Sequence, residues 1–475
     1  MTDLRPISAR SSLPAAVRWC VCLLLLAAIL QTWFLDGLLS PYRITGGSMA
    51  GTLLGRHRDV PCADCGYTFS CDTDVLPAAA RAVCPNCGYA ANDMGASLPD
   101  LPGERVLIDR SAFLLRPPRR WEVVAFRWTQ PADAILVKRV VGLPGESIDI
   151  RNGDVYVDGR IQRKNLSQQH ALAVLAHDAD FEPTREPKPP PRWRAESAGS
   201  RWTSAGGRFI HTAGPDDEPI DWLAYHHWQR LAGDDGSVRE TPVTDICGYN
   251  QWQPRREEDV HAVADLMLSF RLAEATGRGV LAVRVTDGRD DFEVRLRFDE
   301  DRPGYQILHI GQPIPDATGE IPAKRGARIV KVSLVDQQFL LAVDGQTLVA
   351  WPFERSEPAS PPACPLSIGA QGLAATVCDL RVYRDVYYTE PIGQSTGPGV
   401  GRPVHLGAGQ YYVLGDNSPV SEDSRTWSKG GPDGGSVDAK FLLGKPLVAI
   451  PSTQLRLWGD WHFQVPNPAR IRYIR

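Results

Sequence analysis

The sequence predicts a mainly β protein hung on one apolar helix. Three observations carry this: a single long apolar run near the N-terminus, abundant glycine (43) and proline (39) with only 4 methionines, and short alternating segments separated by turns. Period-two segments bounded by Gly and Pro read as strands, and this composition argues against a helical bundle. At 475 residues the chain has room for two or three domains with their own cores. Its 52 basic and 56 acidic residues leave a net charge of −4. That balance supplies no basic field and argues against nucleic acid as a partner.

The apolar run is Trp19 to Leu35. At helical rise it spans roughly 26 Å, near the lower limit for crossing a bilayer. Extending it to Leu39 takes in Asp36. A cleaved secretory signal is the alternative, but the run is long for one and no small-x-small cleavage pattern follows promptly. Residues 19–39 are therefore read as a transmembrane anchor in contact with lipid. Arg5, Arg10 and Arg18 precede it against one acid, Asp3. The positive-inside rule then keeps residues 1–18 in the cytoplasm and puts the rest on the extracytoplasmic side of the cell membrane, after a single pass.

Beyond the anchor, composition divides the chain. Cysteines crowd the stretch 61–99, and strand-like sequence fills 100–165. A proline-rich segment (Glu182 to Arg194) and a glycine-rich one (Gly393 to Gln410) flank a long middle block, 166–407. The middle block therefore reads as an insertion between two halves of one domain. In the first half, Ala134 to Arg160 predicts a strand, an L-P-G-E turn and two short strands joined at Asn152-Gly153. Lys138 lies inside an apolar strand, where a lone lysine ordinarily faces solvent. In the second half, an apolar strand from Tyr411 runs into a polar loop ending at Trp427.

Four segments, in order behind the anchor, change that reading. They are Ser48-Met49-Ala50-Gly51-Thr52-Leu53; Gly103-Glu104-Arg105-Val106; the run Lys138 to Glu146; and Gly415-Asp416-Asn417 with Ser421 and Asp423-Ser424-Arg425. Together they resemble the conserved boxes of bacterial type I signal peptidases, membrane-anchored serine peptidases of the S26 type, over about a third of the chain. The resemblance implies a signal-peptidase-type β catalytic domain assembled from residues 40–60, 100–165 and 408–475. It implies removal of signal peptides from exported preproteins with no catalytic cofactor. Ser48 would be the nucleophile and Lys138 the general base. Ser421 would orient the lysine amine, and an Asp423–Arg425 ion pair would hold the loop, with Gly415, Asp416 and Asn417 supporting it. Met49, Leu53, Leu136 and Val137 would line a pocket for a small side chain.

The residue types suit that chemistry. A serine hydroxyl needs an adjacent base, and the ten histidines fall outside these boxes. Burial lowers a lysine pKa from about 10.4 by up to about 3–5 units, into the working range of a general base. Two positions depart from the family pattern. Gly51 replaces its proline. Gly46 stands where a serine often helps hold the oxyanion, and losing one such donor costs on the order of 10²–10³ in rate.

Cys62, Cys65, Cys84 and Cys87 form two C-x-x-C-G knuckles separated by eighteen residues. The spacing fits a structural zinc ribbon over 61–99. A pair of disulfides is the alternative that an extracytoplasmic location allows, and Cys71 is a fifth cysteine in the module. Nothing in the spacing brings the ribbon to the scissile bond. A Cys364–Cys378 disulfide is a further expectation left open.

The middle block reads as a two-sheet sandwich. Phe292 to Phe298 alternates throughout, and Asp344-Gly345 marks a hairpin between apolar strands. It resembles concanavalin-like (laminin-G-like) jelly rolls, which implies a glycan or protein ligand. Trp193, Trp202, Trp222, Trp228 and Trp252 could stack on sugars or pack in a core. A second function class follows: a membrane-tethered binding protein on a weak or inactive peptidase scaffold. The presence of both Ser48 and Lys138 favours the peptidase. Because both lie outside 166–407, chain order alone predicts that a short loop could replace the block without loss of chemistry.

Overall fold

The computed structural model describes the chain except residues 1–13, 36, 75–80, 96, 129–133, 216–217, 232–236, 251–259, 299–302, 356, 390–396, 398, 428–434, 459–460 and 475. Arg5 and Arg10, and Trp252, lie outside the described residues.

The apolar run forms an α-helix over Ala15–Leu30 that continues through a wider turn over Gln31–Leu35. The span Ala15–Trp33 has mean hydropathy 1.9 and none of it is buried. Leu23, Leu24, Leu25, Leu26 and Ile29 are all exposed. The apolar helix nonetheless ends short of the expected limit at Leu39. Gly37 turns the chain at φ +84° and Leu39 opens the first strand, Leu39–Arg43.

An eight-stranded sheet follows. Its order is Leu39–Arg43, Arg105–Asp109, Leu442–Ile450, Val123–Trp128, Ala134–Gly142, Gln410–Leu414, Val437–Asp438, with Arg472–Tyr473 added beside Leu442–Ile450. Strands from before and after the middle block thus lie side by side in one sheet. The predicted hairpin is present: Ser147–Arg151 pairs with Asp154–Val157, with Asn152 at φ 50° and Gly153 at φ 90°. Positive φ at both turn residues is the geometry that Asn-Gly favours. Val404–His405, inside the glycine-rich segment Gly393 to Gln410, adds to the same hairpin.

The middle block folds as two stacked antiparallel sheets of eight and seven strands. Their facing residues, among them Phe270, Phe292, Phe339, Leu268, Val283 and Ile368, build the largest apolar core of the protein. Asp344 and Gly345 both take positive φ at the expected turn. The sandwich's first strand, Val174–Asp178, pairs with its last, Ala374–Arg384, with Val174 opposite Arg384. The two ends therefore lie together, which lets the block sit within another domain.

One expectation needs correction and two open alternatives are decided. The proline-rich segment is not a linker at the block's edge. It follows the strand Val174–Asp178 and packs on the cysteine module, where Thr184 N and Arg185 N each donate to Asp64 Oδ1 at 2.8 Å. Cys364 and Cys378 are unpaired. Cys364 lies 3.0 Å from His226 Nδ1, while Cys378 sits in the other sheet against the Arg271 carbonyl. Finally, Trp193, Trp202 and Trp228 are buried, and Arg284 covers the Trp222 ring at 4.2 Å. Packing, not sugar stacking, accounts for these four rings.

Candidate active site

The lysine sits where one strand changes neighbours. Ala134–Gly142 pairs with Val123–Trp128 from Ala134 to Arg139, Lys138 opposite Val124. On its other side Gln410–Leu414 pairs only from Arg139 onward. Among the described residues, the other edge of 134–138 is therefore unpaired. Lys138 is 3% exposed, and its Nζ donates to Ser421 Oγ at 2.9 Å. Burial pushes the amine down to about 8; Asp423 pulls the other way and Arg425 adds to the depression. A buried lysine paired with a neutral hydroxyl rather than a carboxylate is poised to lose its proton near neutrality.

Ser48 opens a tight turn closed by Ala50 N to Gly47 O (2.9 Å) and Leu53 N to Met49 O (2.7 Å). Its backbone is held from the opposite half of the chain: Asn417 N donates to Ser48 O at 3.0 Å, and Asn417 Nδ2 to Gly47 O at 2.9 Å. Gly415 lies between the two hydroxyl-bearing segments. A Cβ there would collide with both Ser421 Oγ and the Ser48 carbonyl. Only glycine lets the Ser48 turn and the Ser421 hydroxyl that contacts Lys138 approach this closely. Gly51 stands at φ +95°. Proline is locked near −65°, so the departure from the family pattern goes with a rebuilt turn. Around Gly46 the space for a side chain is empty.

The loop behind the lysine is rigidly satisfied. Asp423 and Arg425 form a fully buried pair at 2.7 Å, and Asp423 Oδ2 also accepts from Gly415 N at 2.9 Å. Removing one member of such a pair strands a buried charge, at a cost of about 3–5 kcal/mol. Arg139, the residue after the lysine, makes a two-bond contact with Asp416 at 2.8 and 2.6 Å, both side chains buried. Asp416 also contacts Thr52 in the serine turn. Arg139 was not among the expected site residues, yet it ties the lysine strand to the loop. Glu104 is likewise buried, bonded to Leu54 N at 3.1 Å and to Arg472 at 2.7 Å.

Met49, Leu53 and Val137 share one apolar cluster, joined by Ile44, Tyr42 and Ile135. Leu136 does not belong to it. It packs on the opposite face with Phe126, Val140 and Trp427, because successive side chains on a strand alternate faces.

The middle block reaches into this site. Asn250 and Asn417 exchange two amide hydrogen bonds of 2.7 Å, both residues buried. The Tyr249 ring lies against Gly47, where a Cβ would come within 2.7 Å of it, and Tyr249 OH donates to Arg56 O at 3.1 Å. Further on, Thr389 N donates to Ser418 Oγ at 3.0 Å, and Arg425 contacts the Thr389 carbonyl. Independence of the site from residues 166–407, as chain order suggested, does not survive these contacts. Nothing local in "CGYNQ" announces the contacts of Tyr249 and Asn250, which reach residues more than a hundred positions away.

The four knuckle sulfurs come within 4.8 Å of one another. Each knuckle repeats the same backbone pattern: Gly66 N to Cys62 O at 3.0 Å, and Gly88 N to Cys84 O at 2.9 Å. Cys62 and Cys87 lie 3.6 Å apart, Cys65 and Cys84 3.7 Å. These separations suit four thiolates around one tetrahedral metal, for which bonds of about 2.3 Å give sulfurs about 3.8 Å apart. None of the four is in a disulfide. The module is not remote from the site. Cys71 is buried against Gly248 O at 3.6 Å, and Asp72 N donates to Tyr249 O at 3.0 Å. The four-cysteine module thus backs the segment that covers Gly47.

Comparison with known proteins gives the same direction. The family described as signal peptidase, peptidase S26, matches residues 76–190. A probable signal peptidase I-2 of Synechocystis sp. is 34% identical over 70 residues, 13% of this chain and 31% of that one. Signal peptidase I V of Bacillus subtilis is 33% identical over 58 residues, 12% and 33% of the two chains. The chain spans about a third of the length of the curated relatives it matches. Among solved structures, the Emp46p carbohydrate recognition domain covers 41% of this chain and 89% of its own, at 11% identity and TM-score 0.26; a likeness that slight bears on nothing further.

Proposed function

We propose that this protein is a membrane-anchored serine endopeptidase that removes signal peptides from exported preproteins. Ser48 Oγ attacks the scissile carbonyl and Lys138, neutral, takes its proton. The resulting ammonium returns the proton to the leaving amine, and water then hydrolyses the acyl-enzyme with the lysine again as base. Ser421 is the positioning residue for the amine. The Ser48 backbone N–H is the available oxyanion donor. The observation that carries this reading is the buried Lys138 amine on Ser421, behind the turn that presents Ser48. Cleavage of a preprotein by the full chain in lipid tests it.

Specificity follows from the strand edge. An extended substrate would add beside 134–138, with alternate side chains entering pockets. Met49, Leu53 and Val137 close the pocket at the cut, with Ile135 and Ile44 beside them. Alanine is therefore expected at the first and third positions before the cut. In a peptide series, phenylalanine immediately before the cut should reduce kcat/KM by at least about 10²-fold, a loss on the scale of one mis-sized pocket contact. Equal turnover of the phenylalanine peptide would refute this pocket.

The four-cysteine site is read as structural zinc. All-thiolate tetrahedral sites of this spacing favour zinc, and such a site fixes a module with little core of its own. Purified protein should contain about one zinc per chain by metal analysis, lost on Cys84→Ser with Cys87→Ser. Peptide mapping that returns these cysteines as disulfides would decide for the other reading.

A further inference from the structure

We infer that Arg192, Trp193 and Trp228 form a binding site for a small oxyanion that carries no proton, a sulfate or a carboxylate, in the cleft where the cysteine module, the proline-rich segment and the sandwich meet. Asn86 and Cys87 of the module line this cleft together with Arg192, Trp193 and Trp228. Arg192 follows Pro189-Pro190-Pro191, Trp193 opens a strand of the seven-stranded sheet, and Trp228 opens the short strand Trp228–Arg230. The cleft has a volume of about 110 Å³. That is room for several waters, and so for one sulfate or acetate.

The cleft is set apart by donors that lack acceptors. Arg192 is 7% exposed, Trp193 5% and Trp228 2%. Arg192 Nε, Trp193 Nε1 and Trp228 Nε1 are buried, and among the described residues none of the three has a hydrogen-bond partner. Packing accounts for the two indole rings but leaves their N–H groups over. The other nitrogens of Arg192 are engaged. Nη2 donates to Trp228 O at 2.9 Å, Nη1 lies 3.3 Å from His227 Nδ1, and the guanidinium covers the Trp228 ring at 3.8 Å. Guanidinium and indole N–H groups only donate, so whatever completes this set must accept from several sides.

The charge of Arg192 is unanswered too. Among the described residues no carboxylate pairs with it. Burial pushes its pKa down, and Tyr225, Cys87 and Cys84 pull the other way. Burial and the Arg192 charge hold His177 and His227 well below the usual histidine range, so neither adds a positive charge. Lys188 and Glu182, both exposed and of opposite sign, also line the cleft. A buried charge without a counterion and buried donors without acceptors are both strongly unfavourable. One oxyanion removes both defects through charge-assisted hydrogen bonds. Sulfate and carboxylate offer acceptors alone, whereas hydrogen phosphate carries an O–H that a set of donors cannot receive.

The test uses the full chain in an uncharged detergent at pH 7.5, exchanged into sodium chloride, with sodium sulfate and sodium acetate as separate probes at constant ionic strength. Calorimetric titration of the wild type should show one saturable site per chain for at least one of the two probes. Sodium phosphate should bind at least about ten-fold more weakly than that probe; equal binding would overturn the restriction to anions without a proton. Arg192→Gln keeps a donor for Trp228 O and removes the charge. It should weaken binding by about thirty-fold or more, and leave the anion-free protein no less stable, because the lost charge had no counterion. Trp193→Phe removes one indole N–H and keeps an aromatic ring; it should weaken binding about ten-fold, and it carries the test should Arg192→Gln not fold. A wild type with no saturable site for either probe would overturn the inference, water then serving the three donors. So would an affinity unchanged in folded Arg192→Gln or, failing that variant, in Trp193→Phe.

Discussion

Ser48→Ala and Lys138→Met are each expected to lower kcat on a small-residue peptide by about 10⁴-fold or more, and the double variant should be no worse than either alone. Members of a nucleophile–base unit are strongly non-additive, because removing one leaves the other without a task. Methionine matches the lysine stem in volume and suits a site that is 3% exposed, so the fold should survive. The wild type supplies a second readout. The base must be neutral, and burial holds Lys138 at about 8. In the free enzyme, kcat/KM should therefore rise with pH, with a midpoint near 8, and fall away below it. The residual activity of Lys138→Met should lack that limb. Substantial turnover by Lys138→Met, or a wild-type profile flat from pH 6 to 9, would remove lysine from the mechanism.

Replacing residues 166–407 by a short flexible loop is expected to lower peptide turnover by at least about 10²-fold, the scale of a small misplacement of reacting groups. The replacement removes Asn250, the partner of Asn417, whose other amide bond holds Gly47 O. It also removes Tyr249 from Gly47 and Thr389 from Arg425 and Ser418. Lys164, just outside the cut, would lose both its carboxylates, Asp336 and Asp385. Loss of fold is separated from loss of site geometry by the point variant Asn250→Ala. It leaves the sandwich core intact and should lower kcat by about 10-fold or more, with KM little changed. Full turnover by a folded loop-replaced protein would show that the sandwich is a passenger.

Much of the candidate site was legible because each of its residues lies in a short local box. Ser48 and Lys138 each lie in a box whose neighbours have their own structural tasks, such as Gly415, which the close approach demands. The hairpins were legible for a similar reason: Asn152-Gly153 and Asp344-Gly345 need positive φ, and the residues that tolerate it are few. What was missed is long-range. The Asn250–Asn417 pair spans 167 positions, and an amide pair leaves no local pattern. Leu136 was placed on the wrong face through neglect of strand alternation. The proline-rich segment was read as a boundary from composition alone, yet proline equally suits an extended segment packed on a partner, here the cysteine module. Sequence leaves stacking and packing open for the tryptophans; burial of three, and Arg284 over the Trp222 ring, decides for packing.

The central claim is that this chain cuts signal peptides with Ser48. The most direct measurement is incubation of a full-length preprotein with the full chain in lipid vesicles, followed by mass determination of the products. The account predicts one cut, after a residue preceded by a small-x-small pattern at the end of the signal peptide's apolar core, and no cut with Ser48→Ala. An intact preprotein with the wild type, or the same cut with Ser48→Ala, would contradict it.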